Sequence, residues 1–154
     1  MEFQALLHNY IRATSSEVVV TPLKGLTYYD KTEPNEELRM KVEARDQVDV
    51  KRFTDFVYQN APGTYEITSP TSKLEIRAVN FKDVVVWNPQ EEGAKIGDME
   101  DGGWYGVLIA LRGTRAESDL RTKYVCVEPG YVHGFVALPA GETWIGQQVL
   151  TAKL

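Results

Sequence analysis

The chain has 154 residues, 43% of them hydrophobic and 25% charged, and these proportions indicate one globular domain. Its formal net charge of −5 is not the basic excess typical of nucleic-acid binding, so we expect no nucleic-acid partner. No stretch approaches the ~20 apolar residues of a membrane span, and the N-terminus has no signal-peptide pattern. The single cysteine, Cys126, fits a reducing compartment. We therefore expect a cytoplasmic protein without membrane association.

Short β-type segments separated by turn residues run along most of the chain. The predicted strands are Phe3–Arg12, Glu17–Pro22, Leu26–Asp30, Thr54–Tyr58, Tyr65–Thr68, Lys73–Val79, Asp83–Trp87, Tyr124–Val127, Val132–Leu138 and Thr143–Leu150. Residues 31–47 are polar and indicate a loop or exposed ribbon, and a helix over Asn35–Arg45 remains an alternative. Many short strands of this kind predict an all-β fold, a sandwich or a related antiparallel architecture.

The clearest candidate for a chemical group is Glu128. It ends the apolar segment Tyr124–Val127 and precedes Pro129 and Gly130, which predict a break in the strand. A carboxylate at the end of an apolar strand is costly to bury unless it has partners or a chemical role. Cys126 lies in the same apolar segment, so we expect a buried and unreactive thiol.

Familiar catalytic and cofactor motifs are missing from the sequence. The chain has only two histidines, His8 and His133, and it has no phosphate-binding glycine loop, dinucleotide motif or Gly-x-Ser-x-Gly sequence. We expect no metal site and no cofactor. A Glu and a His placed across a small substrate can act as base and acid, but a histidine in an apolar strand can equally be structural. Three tryptophans, Trp87, Trp104 and Trp144, can stack on a sugar or simply pack in the core.

Several segments of the chain resemble, in order, the C-terminal part of the glucose-6-phosphate 1-epimerases, which are related to aldose 1-epimerase. The matching segments are Phe3–Arg12 (FQALLHNYIR), Leu23–Lys31 (LKGLTYYDK), Phe53–Asn60 (FTDFVYQN), Asp83–Pro89 (DVVVWNP), Val125–Gly130 (VCVEPG) and Leu138–Trp144 (LPAGETW). The resemblance implies a galactose-mutarotase-like β-supersandwich. It also implies an enzyme that interconverts the α and β anomers of a hexose 6-phosphate by acid–base opening of the sugar ring, without a metal or cofactor.

The resemblance assigns roles to three residues. It implies that Glu128 is the catalytic base, His8 the catalytic acid and Asp55 a ligand of the sugar hydroxyls. A carboxylate such as Asp55 can accept two hydrogen bonds and so fix the orientation of a sugar. Asp55 could also simply cap a turn. We expect His133 to support Glu128 or the neighbouring loop rather than to take part in the chemistry.

The domain prediction is a single mutarotase-like domain over residues 1–154, shortened at its N-terminus relative to the family, with an atypical insertion at about residues 105–122. A shortened sandwich would leave part of a sheet uncovered, which predicts self-association. Two alternatives to an active epimerase remain open at this point. One is a carbohydrate-binding β-sandwich without turnover, and the other is an inactive fragment.

Overall fold

Two antiparallel sheets make up the part of the chain that the computed structural model describes, residues 1–90 and 124–153. The large sheet contains β1 (Glu2–Leu6), β2 (Tyr10–Arg12), β4 (Thr27–Asp30), β5 (Met40–Val42), β7 (Thr54–Tyr58), β10 (Asp83–Asn88) and β11 (Tyr124–Ala137). The small sheet contains β3 (Val19–Thr21), β6 (Val48–Asp49), β8 (Thr64–Ser69), β9 (Ser72–Val79) and β12 (Gln147–Lys153). The expected all-β architecture is confirmed.

The hydrophobic core draws side chains from both sheets. Along β7, Thr54, Phe56 and Tyr58 are buried, whereas Asp55 and Val57 point to the opposite face, as the two-residue period of a strand requires. Val84 and Val86 of β10 and Val125 and Val127 of β11 continue the buried face, and Val20, Tyr65, Ile67 and Ile76 of the small sheet complete the same cluster. The large sheet therefore has one face in the core and a second face that carries polar groups.

The order of the large sheet is β1-β11-β10-β7-β4-β5, and β2 also pairs with β11. Strand β1 pairs with the second half of β11, from Gly130 to Ala137, and β2 pairs with its beginning, from Tyr124 to Cys126. The three residues between β1 and β2 therefore pass beside the middle of β11. This arrangement positions the candidate site described below.

The structure departs from the sequence expectations at β11. Two strands separated by a break were predicted, but one strand runs from Tyr124 to Ala137 through Pro129 and Gly130. Proline lacks an N–H group, yet the Pro129 carbonyl still accepts a hydrogen bond from the Leu7 amide at 3.0 Å. A Cβ atom on Gly130 would lie 2.7 Å from the Leu6 Cδ1 atom, so this glycine permits the close approach of β1.

The polar segment 31–47 is mostly the exposed ribbon that its composition predicts. It contains a single turn of 3₁₀ helix, Glu36–Leu38, capped by the Asn35 side chain, followed by the short strand β5. The alternative of a helix over Asn35–Arg45 is not observed, because the segment has no apolar stripe to bury. Among the described residues, no helix is long and apolar enough to cross a membrane. The predicted insertion at 105–122 lies outside the described residues.

Candidate active site

The connection between β1 and β2 places His8 beside the middle of β11. The Leu7 amide donates to the Pro129 carbonyl at 3.0 Å, and the Asn9 side-chain amide donates to the Val127 carbonyl at 3.0 Å. On the connection, the two donor residues lie directly before and after His8. On β11, the two acceptor residues lie directly after and before Glu128. The short connection is therefore fastened to β11 at the level of Glu128.

The two residues meet at their side chains. His8 Nε2 lies 3.0 Å from Glu128 Oε1, and the His8 side chain is 42% exposed whereas that of Glu128 is 3% exposed. Despite this short separation, Oε1 receives no well-aligned hydrogen bond from the described residues. The structure thus brings together the two residues predicted as acid and base, and it leaves a buried carboxylate oxygen without a properly directed donor.

The environment of Glu128 favours its protonated form. Burial raises the pKa of the Glu128 carboxyl group, and the neighbouring charge of Asp55 raises it further. His8 and Lys31 act in the opposite direction without cancelling the effect. A carboxylate with a raised pKa is a stronger base near neutral pH than an ordinary one.

Asp55 lies on the same face of the large sheet, two strands away from β11. Trp87 of β10 pairs with Cys126 on one side and with Asp55 on the other, so the three residues form a row across the sheet. The Asp55 side chain is 16% exposed, and Lys31 Nζ lies 3.1 Å from its Oδ2 atom. The three residues singled out from the sequence, His8, Glu128 and Asp55, therefore belong to one region of one sheet face.

Aromatic rings surround the His8 imidazole. Tyr10 stacks on it with ring centroids 4.5 Å apart, and Trp87 meets it edge-on at 6.0 Å. Tyr124 contacts the rings of both Tyr10 and Trp87 at 5.6 and 6.1 Å. Sequence reasoning missed the two tyrosines. The two-residue period places Tyr10 on the same side as His8, and it could have revealed this cluster.

The tryptophans have different positions. Trp87 contributes to the site, whereas Trp144 packs edge-on against Phe3 and Phe81, at ring-centroid distances of 5.4 and 5.5 Å. Trp104 lies outside the described residues. Trp144 thus packs against other aromatic rings, whereas Trp87 lies beside His8.

His133 contacts Gln59 rather than Glu128. Its Nδ1 atom lies 3.2 Å from the Gln59 side-chain amide, and its backbone amide donates to Asp83 Oδ2 at 2.7 Å. The side chain is exposed, five positions beyond Glu128 on β11. These contacts agree with a role in supporting the local strand, and they give no support to a contact with Glu128.

Cys126 is buried, as expected from its apolar surroundings, and it faces the same side as Glu128. Burial raises the pKa of the Cys126 thiol, and the nearby Glu128 raises it further, so the thiol is not a ready nucleophile. Ligand atoms of His8, Cys126 and Glu128 all lie within 4.8 Å of one another. This is the group of described residues that could hold a metal ion.

A cavity of about 480 Å³ adjoins the site. It lies between the segment Leu7–Ala13 and the small-sheet strands β8, β9 and β12, and its walls are mainly apolar. Asn9 and Gln148 exchange two amide hydrogen bonds of 2.9 Å at its wall. His8 lines this cavity but Glu128 does not.

Comparison with known proteins identifies the family. The aldose 1-epimerase family profile matches residues 1–151. A protein of Cenchrus ciliaris named "Putative glucose-6-phosphate 1-epimerase" is 28% identical over 149 residues, which are 94% of this chain and 39% of that protein. The chain thus spans about two fifths of the length of this curated relative.

Two solved structures share the fold. The crystal structure of HI1317 matches 99% of this chain and 47% of its own, with a TM-score of 0.67 and 16% identity. A structure described as "a putative mutarotase (YeaD) from Salmonella typhimurium" matches 88% of this chain and 40% of its own, with a TM-score of 0.67 and 22% identity. The β-sandwich is therefore of the mutarotase type, and the chain belongs to the aldose 1-epimerase family.

Proposed function

We propose that this chain interconverts the α and β anomers of a hexose 6-phosphate, with Glu128 as the base and His8 as the acid. The observation that carries the proposal is the 3.0 Å separation of His8 Nε2 and Glu128 Oε1. The anomeric hydroxyl oxygen and the ring oxygen of an aldose are bonded to the same carbon. An acid and a base that serve these two oxygens must therefore lie side by side, as these two groups do.

The proposed reaction moves one proton at each of two oxygens. Glu128 accepts the proton of the anomeric hydroxyl group, the bond between the anomeric carbon and the ring oxygen breaks, and His8 gives a proton to that ring oxygen. The resulting aldehyde rotates and the ring closes on its other face, with both proton transfers reversed. The raised pKa of Glu128 suits the first step, because a stronger base shares the proton more evenly with a hydroxyl group.

Asp55 is proposed to hold sugar hydroxyl groups. It lies on the same sheet face as Glu128, its carboxylate is partly exposed, and Lys31 restrains it from one side. A fixed carboxylate can accept hydrogen bonds from two hydroxyl groups and so orient the ring toward the acid and base. The phosphorylated substrate is supported by the name of the Cenchrus ciliaris relative.

The test is the mutarotation of α-D-glucose 6-phosphate, followed by polarimetry or NMR, for the purified chain and for Glu128→Gln. Loss of a general base typically costs about 10²- to 10⁴-fold in rate, and we expect a loss of that size. Glu17→Gln removes one carboxylate at an exposed position and serves as the matched control, with unchanged activity expected. Replacing the substrate with α-D-glucose tests the preference for the phosphorylated sugar.

The measurement also separates the competing functions. Anomer binding detected by NMR without acceleration of mutarotation, in a sample shown to be folded, would favour a carbohydrate-binding module. That alternative is supported by the aromatic side chains of Tyr10, Trp87 and Tyr124 around His8. If the folded chain shows no binding and no turnover, it is an inactive fragment and the proposal is refuted.

Self-association and a cytoplasmic location remain predictions. Self-association is supported by exposed apolar side chains on strands at sheet edges, namely Met40 and Val42 of β5 and Val149 of β12. Light scattering coupled to size-exclusion chromatography tests it, and a monomer at all concentrations would refute it. Cell fractionation tests the location.

A further inference from the structure

Three different metal-ligand types meet at the candidate active site. An imidazole comes from the β1–β2 connection at His8, and a thiol and a carboxylate come from alternate positions of β11 at Cys126 and Glu128. One ligand atom from each residue lies within 4.8 Å of the other two. Imidazole, thiolate and carboxylate are the ligands that proteins use for zinc.

The spacing of these atoms is close to that of a zinc site. With metal–ligand bonds of about 2.0–2.3 Å in tetrahedral geometry, the ligand atoms lie about 3.3–3.8 Å apart. His8 Nε2 and Glu128 Oε1 are already 3.0 Å apart, and no separation in the group has to shorten by more than about 1 Å. The His8 side chain is 42% exposed, so its ring has room to make that movement.

A second observation, at the Glu128 carboxylate, points to a ligand at this place. Glu128 is 2% exposed, and its Oε1 atom is buried without a well-aligned hydrogen bond from the described residues. Buried polar atoms in folded proteins nearly always have partners, and an orphan of this kind calls for an explanation. A cation bound between the three side chains would give Oε1 a well-directed partner, which the 3.0 Å contact with His8 Nε2 does not provide.

We propose that His8, Cys126 and Glu128 bind a zinc ion that acts as an inhibitor rather than as a cofactor. The ion displaces the proton of the Cys126 thiol to solvent and takes one bond from each residue. The His8 side chain is 42% exposed, so solvent reaches the group from that residue. Because the ion occupies both the proposed acid and the proposed base, it blocks the reaction, and this inhibitory part of the inference rests on the proposed function.

Direct binding tests the site without reference to activity. Titration of the purified chain with Co²⁺, a spectroscopic substitute for Zn²⁺, is expected to give a thiolate-to-metal charge-transfer band with one ion per chain, and Zn²⁺ is expected to displace it. Cys126→Ala should abolish the band. His8→Gln, at an exposed position, should weaken Zn²⁺ binding at least tenfold, equivalent to about 1.4 kcal/mol.

The control is Glu17→Gln, which removes an exposed carboxylate and leaves all three ligands in place. It should bind Co²⁺ and Zn²⁺ as tightly as the unaltered chain. Circular dichroism establishes that each variant is folded. Absence of the charge-transfer band in the unaltered chain, or equal Zn²⁺ affinity with and without His8, would overturn the inference.

Inhibition is measured separately by mutarotation at increasing free Zn²⁺. Half-inhibition is expected at the dissociation constant obtained from direct binding. Binding without any mutarotase activity would leave the metal site standing and refute the proposed function. Activity that saturating Zn²⁺ does not reduce would refute the metal site at the acid and base.

Discussion

A buried carboxylate network at Glu43 gives the sharpest test of what stabilises this sandwich. Glu43 Oε1 accepts hydrogen bonds from the Arg45 backbone amide and Nε at 3.0 and 2.8 Å. Glu43 Oε2 accepts hydrogen bonds from Arg45 Nη2 and the Tyr58 hydroxyl group, both at 2.7 Å. Glu43 is 3% exposed and Tyr58 is fully buried, so water cannot replace these donors easily.

The substitution Glu43→Gln keeps the shape of the side chain and removes its charge. Glutamine has one acceptor oxygen, so in either orientation two of the four donors lose their acceptor. A hydrogen bond to a charged group contributes about 1.5–3 kcal/mol, which gives about 3–6 kcal/mol for two. The Arg45 side chain is 34% exposed and can be rehydrated, so we expect the lower end, about 3 kcal/mol.

Urea unfolding followed by fluorescence and by circular dichroism measures this difference, and coincident transitions establish that a single free energy applies. For a chain of this size, the loss corresponds to a melting temperature lowered by roughly 6–12 °C. The control is Glu36→Gln, whose ion pair with Arg39 is 3.4 Å long and whose side chain is 83% exposed. We expect the control to cost less than about 1 kcal/mol. Equal losses for the two variants would refute the reasoning.

The same network sets a pH dependence. Burial alone would raise the pKa of Glu43, but the hydrogen bonds from Arg45 and Tyr58 outweigh it and lower the pKa below the ordinary carboxyl range. The ordinary pKa of an unfolded glutamate is about 4.3, so the stabilisation by this group is complete only above about pH 5.5. It is lost as the pH falls through the ordinary pKa and then through the lower pKa of the folded state. The stability gap between the unaltered chain and Glu43→Gln should narrow in acid, and a constant gap would contradict the assignment.

Three further predictions concern other positions. Gly63→Ala should cost about 2 kcal/mol or more, because φ is +76° and the new Cβ would lie 2.7 Å from the Ala78 carbonyl oxygen. Gly25→Ala, with φ +83° and no atom within 4 Å of the new Cβ, should cost about 1 kcal/mol, and equal losses in urea unfolding would refute the steric argument. Glu128→Gln should unfold at a higher urea concentration than the unaltered chain at neutral pH, because the pKa of Glu128 is raised in the folded state and ionisation of this group therefore opposes folding. The gain in stability should vanish below about pH 4, where the carboxyl group is protonated in both the folded and the unfolded state. A variant that is less stable than the unaltered chain at neutral pH would refute this prediction. Asp55→Asn should raise KM for the sugar phosphate more than it lowers kcat in the mutarotation assay, and an unchanged KM would argue against a binding role.

Local sequence patterns determined much of the fold. The predicted strands Thr54–Tyr58, Tyr65–Thr68 and Lys73–Val79 match β7, β8 and β9 with bounds close to those observed. These features depend on the two-residue period of a strand and on turn-forming residues, both of which are local. The long strand β11 was predicted incorrectly, because the effect of Pro129 and Gly130 depends on the neighbouring strand β1 rather than on their own preferences.

For the candidate site, the resemblance assigned roles to His8, Glu128 and Asp55, but their arrangement was not contained in any local pattern. The place of Tyr10, Trp87 and Cys126 beside them was also missed. Tyr10 and Cys126 lie two positions from His8 and Glu128, so the two-residue period could have placed them. Trp87 belongs to a separate strand, β10, so its neighbours are set by strand pairing and register.

The sequence by itself thus determined an all-β domain, an acid directly after an apolar segment, and the resemblance to the family. Only the tertiary structure decided that His8 meets Glu128, because the Asn9–Val127 hydrogen bond that fastens the His8 segment to β11 joins residues 118 positions apart. Contacts of that range come from sheet assembly and from burial of a shared core. Val125 and Val127 are buried in the core, whereas Glu128 is buried on the opposite face of β11 beside His8, and this second burial raises the pKa of its carboxyl group.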